Sequence, residues 1–173
     1  MTSSSLPSVT GRIASLHLHP TQPGAPLDAV EFIDVIADQG IAGEARYFGR
    51  VIEASGRPNR RQITLIEREQ VAEHALALGL KSIPAGAVRA NIETAGINLV
   101  EVIGRQVEIG DAVLFLYQAR TPCQKMDAVC NGLRALMENN RQGVVAEIIQ
   151  SGRIRVDDPI RPRPAGGGDS GGS

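Results

Sequence analysis

Most of the chain alternates between short apolar runs and glycine-marked turns, a pattern typical of β-strands. β-branched residues are frequent in these runs, and Ser151–Gly152 has the composition of a tight hairpin turn. Gln39–Gly40 and Gly43 mark another turn region, and Gly110–Asp111 a third. The pattern predicts strands at Val9–His19, Val30–Ala37, Gln62–Ile66, Arg105–Ile109, Ala112–Tyr117, Gly143–Gln150 and Arg153–Val156.

Two segments instead have apolar residues at helical spacing. Glu67–Leu78 begins with acidic residues, and Gly79 stands where a helix would end. The second segment runs from Pro122 to Glu138, with Met126 and Leu133 on its apolar face. The sequence therefore predicts two helices among many strands.

Many strands with two helices, and without βαβ alternation, predict a mostly β (α+β) fold, a barrel with a few helices packed around it. A chain of 173 residues has room for one core. We therefore expect a single domain at residues 9–160. The Ser-rich residues 1–8 and the Pro/Gly/Ser-rich residues 161–173 are predicted to be a disordered N-terminus and a flexible tail.

Composition narrows the classes of partner. The formal net charge is −1 and aromatic residues make up 3% of the chain, so we expect no nucleic-acid partner. No apolar run approaches the length of a membrane span, and no secretory signal is visible. These features predict no membrane partner and a cytoplasmic location, where two cysteines stay reduced.

The segment Arg120–Met126 has the most pronounced chemical character. Thr121 suits a helix N-cap and Pro122 the first helical position, which would place Cys123 in the first turn. The helix dipole and the charges of Arg120 and Lys125 would all favour the thiolate. The alternative is a buried structural cysteine, since cysteine is among the most buried residue types.

The other thiol, Cys130, follows seven residues later. Two helical turns would separate the two Cα atoms by roughly 10.5 Å, beyond the reach of a disulfide. We therefore interpret Cys130 as part of the core.

Three further groups of polar residues are weaker candidates. Arg50, Arg57, Arg60 and Arg61 could bind phosphate oxygens or form a solvated loop. The polar segment 91–96 could contact a ligand or simply turn the chain. His17 and His19 could seat a metal, but a structural role is favoured because no spacing supplies further ligands.

Five segments, in this order, resemble the MOSC domain, the family of molybdenum-cofactor sulfurase C-terminal domains, in its small stand-alone form. The family often has Gly-Asp-x-His at the first of them, whereas Gly43-Glu44-Ala45-Arg46 lacks the histidine. The segments are Gly40-Ile-Ala-Gly43-Glu44, Arg61-Gln-Ile-Thr-Leu-Ile66, Ala90-Asn91-Ile-Glu-Thr94-Ala-Gly-Ile97, Gly104 to Gly110 with Arg120-Thr-Pro-Cys123-Gln-Lys125, and Gly143-Val-Val-Ala with Gly152-Arg-Ile.

The resemblance implies a β-barrel that binds the molybdenum cofactor, molybdopterin. Cys123 would be its sulfur carrier, as a persulfide, or its molybdenum ligand. The predicted cofactor-binding residues are Arg60, Arg61, Asn91, Thr94, Arg120 and Lys125. The family's association with pyridoxal phosphate does not extend to this chain, which shows no pyridoxal-phosphate domain. The resemblance therefore implies a separate sulfur donor (a desulfurase) or a separate electron-transfer protein.

Two roles for the cofactor stay open, sulfur transfer to a metal centre and reduction of N-hydroxylated compounds. Whether the protein is an enzyme, either a molybdenum-dependent oxidoreductase or a sulfurtransferase-type carrier, therefore stays open as well. A third hypothesis is a small, non-catalytic β-barrel that serves as a binding or regulatory module.

Overall fold

The computed structural model describes residues 10–122 and 125–164. Within these residues the helices are α1 (Arg68–Ala77), α2 (Lys125–Val129) and α3 (Leu133–Leu136), with one 3-10 turn at Val100–Val102. The strands are β1 (Gly11–Leu18), β2 (Asp28–Val30), β3 (Phe32–Ile36), β4 (Gly40–Ile41), β5 (Ile63–Glu67), β6 (Ile92–Ala95), β7 (Gln106–Ile109), β8 (Ala112–Ala119), β9 (Val144–Gln150), β10 (Gly152–Arg155) and β11 (Pro159–Pro162).

Seven of the described strands close into a barrel, in the order β1, β6, β5, β9, β8, β7 and β11, with β11 pairing back onto β1. The pairs are antiparallel except for β5 and β6, which run parallel. A parallel pair needs a crossover, and α1 with the loop after it provides one. The mostly β barrel is confirmed, but the expectation of no βαβ unit is wrong at this one place.

The predicted strand Val30–Ala37 is divided between two sheets. β2 pairs with β1 beside the barrel, whereas β3 joins β10 and β4 in a separate three-stranded sheet. Between them, the Glu31 carbonyl accepts a hydrogen bond of 3.0 Å from the Val156 amide. The chain changes sheets at Glu31 without interrupting its apolar pattern, so the sequence suggests one strand where there are two.

Two apolar clusters stabilise the structure. The larger fills the barrel, where Leu65, Leu114 and Ile148 are fully buried. The smaller lies between the barrel wall and the helices, and its buried members are Ile66, Val71, Val88, Ala90, Met126, Leu133 and Met137. β5 contributes to both clusters, which explains why four of its five residues are buried.

The prediction of one continuous helix over Pro122–Glu138 is wrong. Thr121 and Pro122 are not helical, and α2 and α3 are separated at Gly132, which has a left-handed φ of 92°. The Asp127 carboxylate accepts hydrogen bonds from the amides of Gly132 and Arg134, at 3.2 and 3.1 Å. The helical spacing is present, but the glycine and this side-chain cap divide the segment into two short helices. The first helix is close to its prediction, since α1 occupies most of Glu67–Leu78.

Three strands were not predicted. One is the two-residue β4, Gly40–Ile41, which lies where the sequence indicated a turn, and the other two are β6 and β11. β6 lies within the polar segment 91–96, so that segment is part of the barrel wall and not only a turn. β11 ends at Pro162, two residues beyond the expected domain boundary at Ile160. These last two strands are held by pairing with distant segments, β6 with β1 and β5, and β11 with β1 and β7.

No helix in the described ranges, 10–122 and 125–164, is long and apolar enough to cross a membrane.

Candidate functional site

A pocket of about 150 Å³ opens where several barrel strands begin or end. The start of β5 supplies Gln62, Ile63 and Thr64, and the segment before β6 supplies Arg89 and Asn91. The remaining lining residues are His19 after β1, Glu44 and Tyr47 after β4, Arg61 before β5, Arg120 after β8, and Met126 in α2. Five segments that are distant in sequence therefore meet at one site.

Asn91 lies at the centre of the polar contacts and is buried. Its Oδ1 accepts hydrogen bonds from the Thr64 amide and hydroxyl, at 3.1 and 3.2 Å. Its Nδ2 donates to the His17 carbonyl oxygen at 3.2 Å and to Glu44 Oε2 at 3.0 Å. Both ends of the amide are therefore satisfied, and Asn91 joins β1, β5 and the segment after β4.

Glu44 and His19 form the second part of this network. Glu44 is 2% exposed. Its Oε2 lies 2.7 Å from His19 Nδ1 and also accepts the His19 amide at 2.5 Å. The Tyr47 ring meets the imidazole edge-on, with 4.9 Å between ring centroids. These contacts fix the orientation of the His19 imidazole at the pocket wall.

Three guanidinium groups line the same pocket, those of Arg61, Arg89 and Arg120. Arg120 is buried, and its amide donates to the Gly143 carbonyl at 2.9 Å. Arg89 has a left-handed φ of 63°, and its Nη1 donates to the Ala25 carbonyl at 3.0 Å. Glu44 is the one carboxylate among the described lining residues, so the pocket as a whole is cationic.

The structure separates two of the predicted binding residues from this pocket. Arg60, although adjacent to Arg61, donates to Glu147 Oε1 at 2.8 and 3.0 Å and lies over the Tyr117 ring at 4.2 Å. Thr94 is fully buried in β6, with its hydroxyl 3.5 Å from the Ile66 carbonyl. Neither residue lines the pocket, which makes them structural residues of the barrel in this conformation.

Cys123 lies outside the described residues, and so does the side chain of Lys125, whose backbone begins α2. The residues on either side of Cys123 are informative, because Arg120 and Met126 both line the pocket. A second cavity, of about 380 Å³, is lined by Ala119, Arg120, Thr121, Pro122, Arg134, Glu138, Asn139 and Asn140. Arg120 therefore contacts both cavities.

Cys130 packs beside the smaller apolar cluster and is half-buried. Its Sγ lies 3.8 Å from the Asn131 carbonyl. The interpretation of Cys130 as a packing residue agrees with this position.

His17 and His19 do not form a metal site with each other. His17 is buried, and its Nδ1 lies 3.2 Å from the Ala90 carbonyl, whereas His19 contacts Glu44. Burial lowers the pKa of His17, an effect that the nearby Glu93 partly offsets. No group of three or more His, Cys, Asp or Glu residues in the described part of the chain is arranged to hold a metal ion.

The sequence did not identify Tyr47 or Arg89 as site residues. It gave Glu44 only as part of a motif, and His19 only as a possible metal ligand beside His17. Glu44 and His19 are 25 residues apart, so no local pattern connects them. Arg89 immediately precedes the Ala90–Ile97 motif, so its position in the sequence was a signal for the site. His19, from a different part of the chain, places an imidazole against Glu44.

The fold and this site define a class, a small closed β-barrel with a cationic, polar pocket at the ends of its strands. The family model of the MOSC domain matches residues 44–161, and the chain belongs to the MOSC-domain family. The family associates the domain with the molybdenum cofactor. β1 and His19 lie before the matched region, although they complete the barrel and the pocket.

Solved structures confirm the fold. The YuaD protein of Bacillus subtilis superposes with a TM-score of 0.72 at 19% identity, over 87% of this chain and 94% of that one. YiiM of Escherichia coli superposes with a TM-score of 0.63 at 18% identity, over 90% of this chain and 69% of that one. YiiM of Geobacillus stearothermophilus superposes with a TM-score of 0.64 at 18% identity, over 91% of this chain and 77% of that one. Among curated protein sequences, none matches this chain significantly.

Proposed function

We propose that the protein binds the molybdenum cofactor at the arginine-lined pocket and that Cys123 provides the sulfur atom that meets the metal. One observation supports this most directly. Arg120 and Met126, which bracket Cys123 in the sequence, both line the pocket. Cys123 is three residues from each of them in the sequence, and the proposal rests on this proximity in the sequence.

The donor set suits an anionic pterin. The three guanidinium groups match the phosphate group of molybdopterin, since guanidinium binds phosphate oxygens in pairs. The Asn91 and Gln62 amides are suited to the polar edge of a ring, and Tyr47, Ile63 and Met126 provide apolar contact. A thiolate is also the ligand type that soft metal centres prefer.

The size of the pocket limits how much of the cofactor it holds. About 150 Å³ is less than the roughly 300–1,000 Å³ typical of pockets that enclose a whole organic ligand. We infer that this pocket holds one end of the cofactor. The neighbouring cavity of about 380 Å³, which shares Arg120 and adds Arg134, would hold the other end.

Two roles for Cys123 follow. As a permanent molybdenum ligand, it would belong to an oxidoreductase that reduces N-hydroxylated compounds with electrons from a separate electron-transfer protein. As a persulfide, it would pass sulfur from a separate desulfurase to a metal centre. The imidazole and carboxylate in the pocket favour the reductase, because reduction of an N–O bond consumes protons.

Metal and sulfur analysis of purified protein tests the proposal. Protein from a host that makes the cofactor should contain close to one molybdenum per chain, which Cys123→Ser should lose. Cys130→Ser is the matched control and should keep the metal, because Cys130 packs on the apolar cluster. A single added sulfur on Cys123 in the intact mass, without molybdenum, would favour the carrier. Neither molybdenum nor added sulfur on the wild-type protein would refute both roles and favour a non-catalytic binding module.

The adjacent arginines give a second matched pair. Arg61→Ala should weaken cofactor retention because it removes a guanidinium from the pocket. Arg60→Ala should leave retention unchanged, because Arg60 instead pairs with Glu147. Equal retention by the two variants would contradict the placement of the cofactor in this pocket.

A further inference from the structure

His19 is the only histidine among the described residues that line the pocket, and one of its ring nitrogens makes no hydrogen bond to a described residue. Its Nδ1 is held by Glu44 at 2.7 Å. Its Nε2 makes no hydrogen bond to any described residue, although the side chain is only 12% exposed. The other two histidines are buried, with a ring nitrogen bonded to a backbone carbonyl in each case. His19 differs from them in lining the pocket.

Glu44 is held by neutral donors rather than by an arginine. Its Oε2 accepts the His19 amide at 2.5 Å and Asn91 Nδ2 at 3.0 Å, and no described lysine or arginine forms an ion pair with it. Its negative charge is therefore available to the imidazole. A carboxylate bonded to Nδ1 fixes the tautomer that leaves Nε2 to exchange a proton with a ligand.

We propose that His19 is the general acid of the pocket, that its Nε2 delivers a proton to the bound substrate, and that Glu44 and Asn91 are positioning residues. This inference rests on the proposed reductase function. Reduction of an N-hydroxylated compound breaks the N–O bond and takes two electrons, supplied by the separate electron-transfer protein. It also takes two protons, one ending on nitrogen to give the amine and one on oxygen, which leaves as water. His19 supplies the proton to the departing oxygen and is protonated again from solvent.

The surroundings of His19 contain other charged groups, and these must be considered in any pH profile. Glu44 and Tyr47 contact the ring directly. The pocket guanidinium groups are positive throughout the usable pH range. Among the described residues, the charged and polar groups that line the pocket with His19 include Glu44, Tyr47, Asn91, Arg61, Arg89 and Arg120, and His17 lies nearby. His17 is buried, with its Nδ1 3.2 Å from the Ala90 carbonyl.

The test compares His19→Gln with the matched control His74→Gln, both in molybdenum-loaded protein. His74 lies in α1 and bonds the Arg141 carbonyl, outside the pocket. Reduced viologen serves as the electron source and a small amidoxime as the substrate. His19→Gln should keep its molybdenum and lower kcat by roughly 10²–10⁴-fold, the usual contribution of a general acid. It should also lose the fall in rate at alkaline pH, whereas His74→Gln should keep both the rate and the profile.

A second readout needs no turnover. Nitrogen-15 NMR of the protein without cofactor should show His19 with its proton on Nδ1 when neutral, and Glu44→Gln should shift the ring toward a mixture of tautomers. Unchanged kcat and pH profile in His19→Gln, loss of molybdenum from it, or a proton on Nε2 in the neutral ring would overturn the proposal. Turnover that is absent from loaded wild-type protein would also overturn it. Molybdenum missing from the wild-type protein, measured beforehand, would instead show that the proposed function itself is wrong.

Discussion

Replacing Asn91 by aspartate should make the stability of the protein strongly dependent on pH. The change keeps the shape of the side chain and converts Nδ2, which donates to Glu44 Oε2 and to the His17 carbonyl, into an oxygen. Three acceptors would then face one another in a buried site. At a separation of 3.0 Å and an effective dielectric constant of about 20, two carboxylates repel each other by about 5 kcal/mol.

The variant can avoid this repulsion by keeping a proton on the introduced carboxyl. Keeping it costs about 1.4 kcal/mol for each pH unit above the ordinary carboxyl pKa of about 3.9. The loss of folding stability in the variant is therefore at most about 5–6 kcal/mol at about pH 8 and about 2 kcal/mol at about pH 5.5. The pKa of the introduced carboxyl is raised in the folded state, so the folded chain binds more protons and stability falls as pH rises. Up to about 3 kcal/mol should separate the two conditions.

Urea unfolding at the two pH values, followed by far-ultraviolet circular dichroism because the chain has no tryptophan, measures this difference. Asn91→Ala is the control. It should lose about 2–4 kcal/mol by leaving buried groups without partners, with a smaller change between the two pH values. If Asn91→Asp loses the same free energy of unfolding relative to the wild type at both pH values, the electrostatic reasoning is refuted.

Three further predictions concern packing and buried charge. Gly143→Ala should prevent stable folding, because a Cβ would overlap the Leu65 carbonyl oxygen. Gly104→Ala has open space around the new Cβ and should lower the stability by about 1 kcal/mol. Similar melting temperatures for the two variants would contradict this prediction. Burial lowers the pKa of His17 below its ordinary 6.5, so stability should fall as pH drops below that value. His17→Gln should flatten that fall in thermal melts, and an unchanged slope would exclude His17 as its cause. Burial raises the pKa of Glu67 above its ordinary 4.5, so Glu67→Gln should stabilise the protein at neutral pH. This gain in stability should vanish as the pH approaches 4.5. A variant that unfolds at a lower urea concentration than the wild type at neutral pH would contradict the prediction.

The sequence predicts the parts of the fold that depend on local chemistry. The hairpin between β7 and β8 turns at Gly110–Asp111, where the left-handed φ of Gly110 matches the turn that its composition suggests. β6 was missed because Glu93 and Thr94 give it a polar appearance, although both are buried. Glu93 is compensated by the Gly86 amide at 2.7 Å and by Arg68 at 3.5 Å, contacts that only the assembled barrel provides.

In the candidate site, too, local sequence motifs predict some residues, whereas others are brought in only by the fold. Arg61, Asn91 and Arg120 were identified from motifs, and they do meet in the pocket. Arg60 was included as part of an arginine group with Arg61, yet both precede β5 in an irregular segment, and Arg60 pairs with Glu147 on β9 instead. His19 was considered from the sequence only as a metal ligand beside His17, since its contact with Glu44 depends on a carboxylate that the fold brings to it.

The closure of the barrel between β1 and β11 has a consequence for biosynthesis. These strands pair at Gly11 with Ile160 and at Arg12 with Pro159, so the N-terminal strand finds this neighbour only when the last strand has left the ribosome. Until then the backbone of β1 at Gly11 and Arg12 lacks this neighbour, and the long sequence separation makes the final pairing slow. A nascent chain of this protein is therefore a natural client for chaperones that shield open sheet edges.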